Sequence, residues 1–185
     1  MQPTIVYLHG FASAGEGSAK AGILQRIFAG RELLTPNLPD KPADAIPFLD
    51  DFLGRLSGPA VLIGSSLGGY YAACYGGRLG WPAVLINPLV DVAVMRGALG
   101  WQENYYTGAR FRLDEADLDA LAALHFAPGA SPTLVLLDAA DEVLDADRAV
   151  STYMGRARVM VYPGGSHRFE HLDESAPLLL AHAAA

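Results

Sequence analysis

Short apolar runs recur along this chain, divided by stretches in which apolar positions return at helical spacing. Thr4-Ile5-Val6-Tyr7-Leu8 is the first run, rich in β-branched and aromatic residues and without polar alternation. That is the pattern of a strand buried on both faces, as in a parallel sheet. A small polar loop, Ala12 to Ser18, leads into a helix over about Ala19 to Ala29, with Ile23, Leu24, Ile27 and Phe28 on one face. Arg31 to Thr35 reads as a short strand closed by Pro36 and Pro39. Pro42 opens a second helix, where its missing N–H costs nothing, and Ile46, Leu49, Phe52, Leu53 and Leu56 give that helix its stripe before Gly58-Pro59 breaks it. Further strands are predicted at Ala60–Ile63, Ala83–Ile86, Thr133–Leu137 and Arg158–Tyr162. Further helices are predicted at Leu67 to Arg78, Glu115 to Leu124 and Asp145 to Met154, the last with Asp145 as N-cap. A final helix is expected from Glu170 to Ala181, interrupted near Pro177 and frayed in the alanine tail after Leu180. Residues 89–131 lack a strand signal but hold Trp101, Tyr105, Tyr106 and Phe111. A connection this long in a compact domain is more often functional than idle.

Strands and helices thus alternate throughout, which predicts a parallel sheet of about six strands covered by helices on both faces, a three-layer α/β sandwich. No repeat, low-complexity tract or linker divides the sequence, so residues 1–185 read as a single domain, with 89–131 as a lid-like insertion over its active edge.

Composition narrows the function. Hydrophobic residues make up 51% and charged ones 18%, which excludes a disordered chain. A net charge of −7 gives no basic face for nucleic acid or an anionic membrane. The single cysteine, Cys74, reads as a small buried hydrophobe and permits neither a disulfide framework nor a cysteine zinc site. A cytoplasmic setting is the simpler reading. The start, Met1-Gln2-Pro3, has no basic region before its short apolar run, so no signal peptide is expected, and no stretch approaches the ~20 apolar residues of a membrane span. No phosphate-loop or dinucleotide glycine motif and no metal-ligand spacing is present, so neither cofactor nor metal is expected.

The chemistry gathers around Val61-Leu62-Ile63-Gly64-Ser65-Ser66-Leu67-Gly68. A strand running into Gly-x-Ser-x-Gly and then a helix is a nucleophile elbow, in which the turn holds the serine Oγ above the sheet edge. Ser66 is central in the pentad; Ser65 is off-centre. A serine hydroxyl needs a base, and the base an orienting carboxylate. In a parallel sheet such groups collect at the carboxyl ends of the strands. His167 follows the last strand, whereas His9, His125, His171 and His182 sit in a loop, an insertion, a helix and a tail. Asp138, Asp141, Glu142 and Asp145 cluster after the fifth strand, and Asp91 follows the fourth. The order serine, aspartate, histidine is that of the elbow motif. Oxyanion donors are expected from the Leu67 N–H and from the Phe11 N–H in the His9-Gly10-Phe11 loop. His9, Gly10, Trp101 and Tyr105 are assigned to substrate contact, although the aromatics serve equally well as a cover for the core. Lys20 reads as a surface charge near a helix start, with an anionic substrate group as the lesser alternative.

Several blocks stand out together: Tyr7-Leu8-His9-Gly10-Phe11 with Ser18-Ala19-Lys20-Ala21, Gly64 to Ala72, Asn87-Pro88, Asn104 to Gly108, Asp141 to Asp145 and Gly164-Gly165-Ser166-His167. In these blocks the chain resembles the small YqiA-type esterases, a UPF0227-type family of the α/β-hydrolase superfamily. The resemblance spans essentially the whole chain. It implies a minimal α/β-hydrolase, without the first two strands of larger members, acting on carboxylic esters or acyl-CoA thioesters. It also favours Asp141 over Asp138, giving Ser66, Asp141 and His167 as the catalytic positions. Ala140 departs from an expected glycine, and Ser166 from an expected aspartate. The expected partner is a small-molecule ester or thioester, and no oligomeric state is assigned. The rival readings are a non-catalytic binding protein on the same fold, and a hydrolase-fold enzyme of other chemistry, a peroxidase or C–C hydrolase.

Overall fold

The computed structural model describes residues 3–184; Met1 and Gln2, where no leader is read, and Ala185, at the end of the alanine tail, lie outside them. In chain order the first half comprises β1 (Thr4–Leu8), α1 (Ala19–Ile27), β2 (Leu33–Leu34), α2 (Pro42–Gly54), β3 (Ala60–Ser65), α3 (Leu67–Leu79) and β4 (Ala83–Ile86). After a 3₁₀ helix, Val92–Ala98, come β5 (Gly100–Glu103), β6 (Arg110–Leu113), α4 (Glu115–Ala123), β7 (Thr133–Asp138), α5 (Ala146–Tyr153), β8 (Arg158–Tyr162) and α6 (Ala176–His182).

Six of the strands form one parallel sheet in the order β2-β1-β3-β4-β7-β8. Successive side chains leave a strand on opposite faces, and each face here finds its own core. Val6, Leu8, Leu62, Leu85, Val135 and Leu137 pack with helices α2 to α5. Ile5, Tyr7, Val61, Ile63, Val84 and Leu134 pack with α1 and α6. The fold is therefore a three-layer α/β sandwich, its strands apolar on both sides because both sides are covered. From β1 the chain steps outward to β2 and then back across to β3, so the strand order reverses between β1 and β3. Ligands of open parallel sheets bind in the crevice at such a reversal. Among the described residues no helix is long and apolar enough to cross a membrane.

Two regions differ from the sequence reading. Residues 89–131 contain strands after all: β5 and β6 pair antiparallel, with Trp101 opposite Arg112 and Glu103 opposite Arg110. Each is only four residues long, and only one face is covered, so the apolar run that marks the other strands is missing. The last helix begins at Ala176, not Glu170. Phe169 lies at φ 59°, outside the helical region, and residues 170–175 form turns before the regular ladder begins. Pro177 is then in the first turn, where proline is tolerated, and interrupts nothing.

Candidate active site

The elbow follows from close packing. Ser66 joins β3 to α3 at φ 56° and ψ −120°, a conformation non-glycine residues rarely adopt. The reversal around it is so tight that a Cβ at Gly64 would overlap the Gly68 backbone, and one at Gly68 would overlap the carbonyls of Leu8 and His9. The Ser66 N–H donates to the Ile86 carbonyl at 3.0 Å, and the Ser66 carbonyl accepts from Leu89 N–H at 3.0 Å. The strained residue is thereby held from both sides.

The loop after β1 closes over the elbow. A Cβ on Gly10 would lie 3.2 Å from Ser66 Cβ and 3.4 Å from the Ser65 carbonyl oxygen. Only glycine lets the two segments meet without displacement. His9 is buried at the edge of the cleft and both of its ring nitrogens are engaged: its Nδ1–H donates to the Gly10 carbonyl at 2.8 Å, and its Nε2 accepts from the Leu38 N–H at 2.8 Å. Burial lowers its pKa, partly opposed by the Gly10 carbonyl and Asp40, which suits a neutral imbalance-free clamp of one donor and one acceptor. The N–H groups of Phe11 and Leu67 have no hydrogen-bond partner among the described residues. A narrow cleft beside them is lined by Gly10, Phe11, Leu38, Leu67 and Tyr71.

Two more loops, after β7 and β8, complete the cluster. His167 Nε2 is 3.0 Å from Ser66 Oγ, and His167 Nδ1 is 2.8 Å from Asp141 Oδ2 and 3.0 Å from its Oδ1. With a carboxylate as the acceptor, Nδ1 carries the proton and Nε2 is left to accept from the serine hydroxyl. Burial works against charge on Asp141, but the His167 hydrogen bond and the N–H groups of Leu144 and Val143 outweigh it, and the carboxyl titrates below its ordinary range. The His167 N–H donates to Glu142 at 2.9 Å.

The other acidic candidates lie elsewhere. Asp138 is fully buried and accepts from His171 Nδ1 at 2.6 Å, away from His167. Asp91 caps the 3₁₀ helix through the Ala93 N–H and pairs with Arg148. Asp145 caps α5. Ser65 is buried within the end of β3. Ala140 keeps its loop tied to the neighbouring one, its N–H donating to the Gly164 carbonyl at 2.9 Å.

Trp101 and Tyr105 are not cleft-lining: 65% and 84% exposed, they stand on the outer side of the β5–β6 hairpin. The hairpin meets the site by other groups. The Tyr105 N–H donates to the Ala12 carbonyl at 3.0 Å, Asn104 Nδ2 donates to the Ser13 carbonyl at 2.9 Å, and Phe111 packs edge-on against Phe11 at 5.5 Å. Lys20 is not a simple surface charge. It is half-buried in the first turn of α1, and desolvation, with Arg168 nearby, brings its pKa down to about 8 against the pull of Asp138 and Asp141.

Sequence reasoning named Asn87, Glu142 and His171 but gave none of them its part in holding the histidine loop. Asn87 stood in view beside Pro88, and a carboxylate read as buried, Asp138, would have demanded a donor such as His171.

A model of an uncharacterised protein family, UPF0227, matches residues 4–183 of the chain. Solved structures resemble it over nearly its whole length. A monoacylglycerol lipase from Paleococcus ferrophilus is 14% identical with a TM-score of 0.74, covering 97% of this chain and 93% of its own. The esterase domain of a Rhodothermus marinus protein is 17% identical with a TM-score of 0.71, covering 100% of this chain and 88% of its own. The mouse alpha/beta hydrolase domain-containing protein 10 is 16% identical with a TM-score of 0.66, covering 98% and 88%. At these identities the likeness is one of fold.

Proposed function

The chain belongs to the UPF0227 family, and from that premise we propose that it is a serine hydrolase that cleaves small carboxylic esters or acyl thioesters through an acyl-enzyme on Ser66. The observation that carries the reading is the unbroken hydrogen-bonded line from Ser66 Oγ to His167 to Asp141, set on a strained elbow at the reversal of the sheet. A lipase and an esterase on the same fold lend it support.

In this mechanism Ser66 Oγ attacks the carbonyl carbon as its proton passes to His167 Nε2. Asp141 keeps the imidazole in the required tautomer and stabilises the imidazolium. Its carboxyl, held below the ordinary range, stays ionised wherever His167 can act as a base. The carbonyl oxygen, now negative, takes hydrogen bonds from the unpaired Phe11 and Leu67 N–H groups. His167 then protonates the departing alcohol or thiol, and a water, deprotonated by the same imidazole, releases the acid from Ser66. The cleft between the Gly10–Phe11 loop and Tyr71 has room for little more than a water molecule, which favours short acyl groups over long ones at this edge.

A series of p-nitrophenyl esters of rising chain length, run beside acyl-CoA thioesters, tests the proposal. Turnover is expected to be fastest for short acyl groups and to vanish in Ser66→Ala. Activity surviving intact in that variant contradicts the mechanism.

A further inference from the structure

His167 reaches Ser66 from a loop, and a loop side chain holds its place only if its backbone is held. The β8–α6 loop carries two glycines with left-handed φ, Gly164 at 72° and Gly165 at 73°, so its own sequence leaves it flexible. What fixes it is the Asp138 carboxylate at the end of β7. Oδ2 accepts from the Glu170 N–H at 2.7 Å and from the Ser166 N–H at 3.2 Å, while Oδ1 accepts from His171 Nδ1 at 2.6 Å. These donors bracket His167 on both sides. Asn87, at the end of β4, completes the hold: its Nδ2 donates to the Ser166 carbonyl at 2.9 Å, and its Oδ1 accepts from the Asp138 N–H at 2.9 Å. The Asp138 carboxylate sits where a Cβ on Gly165 would be, so the loop wraps directly onto it. Tyr162 stacks on His171 at 4.8 Å with an interplanar angle of 9°, which fixes the imidazole in turn.

A fully buried carboxylate is costly unless several hydrogen bonds satisfy it, and all three donors here come from the segment that carries His167. We infer that Asp138, with His171 and Asn87, is a positioning group: a second aspartate–histidine couple behind the first, which presets the loop so that His167 meets Ser66 and Asp141 together. Asp138 touches neither substrate nor a reacting atom. Its effect passes through the position of His167, so it should bear on kcat and leave KM nearly untouched. The inference rests on the proposed hydrolase mechanism for its kinetics but not for its geometry.

The test uses Asp138→Ala, Asp138→Asn and His171→Ala in the full chain, with circular dichroism to establish folding. Two readouts are taken: kcat and KM on a short p-nitrophenyl ester, and the downfield proton NMR resonance of the His167 Nδ1–H, told apart from that of the His171 Nδ1–H by its loss in His167→Ala. Misplacement of a reacting group by about 1 Å costs on the order of 10²-fold, and Asp138→Ala is expected to lose about that much kcat, with KM nearly constant and the downfield resonance broadened or lost. Asp138→Asn keeps an acceptor for the two backbone N–H groups and should recover most of the rate. His171→Ala leaves those two bonds in place, so it should fold even if Asp138→Ala does not, with a smaller loss confined to kcat. Folded variants with kcat within about twofold of the parent and an unaltered His167 resonance overturn the inference. If the parent protein turns over no ester, the hydrolase reading fails, and the resonance in the variants still decides the positioning role.

Discussion

Ser66 shows the cost of function at a single residue. At φ 56° and ψ −120° its backbone occupies a region suited to glycine, and such strain costs on the order of 1–3 kcal/mol. Replacing Ser66 by glycine relieves the strain but adds freedom to the unfolded chain, worth about 0.5–1 kcal/mol. Ser66→Gly is therefore expected to raise the melting temperature by roughly 3 °C, whereas Ser66→Ala, which keeps its Cβ, is not; calorimetry on the two variants checks the difference. Gly10 is the complementary case. A Cβ there would press on Ser66 Cβ at 3.2 Å, displacing the loop that presents Phe11 by tenths of an ångström. Gly10→Ala should fold with near-parental stability but lose kcat by about tenfold; kinetics beside a melting curve separate the two effects. Residue types alone could not have assigned the two aspartates. Asp138 ends β7 and Asp141 lies three residues on in the loop, and only the folded chain turns Asp141 to His167 and Asp138 to His171.

The element that ties the site together is the loop after β1, clamped by a histidine that must be neutral. His9 needs Nε2 free to accept from Leu38, and its folded pKa is lowered chiefly by burial. The unfolded chain binds a proton at this residue near pH ~6.5, so as pH falls through that value the unfolded state takes up protons that the folded state refuses. Stability is full above it and declines below it. His182, also lowered by burial, adds a term of the same sign. The melting temperature should fall between pH 7.5 and pH 5, a window of about 2.5 units around the free histidine value, and His9→Gln should flatten part of that slope. An unchanged slope in the variant would show that the clamp does not titrate. Elements were unequally legible. The sheet strands could be read because each is apolar on both faces, helices α1 and α2 because their stripes are regular, and α3 because it follows the elbow. The β5–β6 hairpin could not, since its outer face carries Trp101, Glu103, Arg110 and Arg112 and its pairing depends on register, not local pattern. The segment before α6 is turned, with Phe169 at φ 59°, a positive φ that a non-glycine residue rarely shows and that its residue type does not signal.

For the molecule as a whole, topology places the chemistry. The strand order reverses between β1 and β3, and the loops after β1, β3, β7 and β8 all open at the same sheet edge. Residues far apart in sequence, Ser66, Asp141 and His167, thereby come within hydrogen-bond reach. That edge was foreseeable from the alternation of strands and helices, and the serine from its glycines. The backing of the histidine loop was not, because it depends on how loops fold over one another. The proposed covalent step is tested most directly by a fluorophosphonate probe, which needs an activated serine but no knowledge of the natural acyl group. Intact-mass and peptide mass spectrometry of the folded protein should show a single adduct on Ser66, formed quickly by the parent and nearly abolished in His167→Ala. A folded parent protein that stays unmodified, or one modified at another residue, would contradict the account.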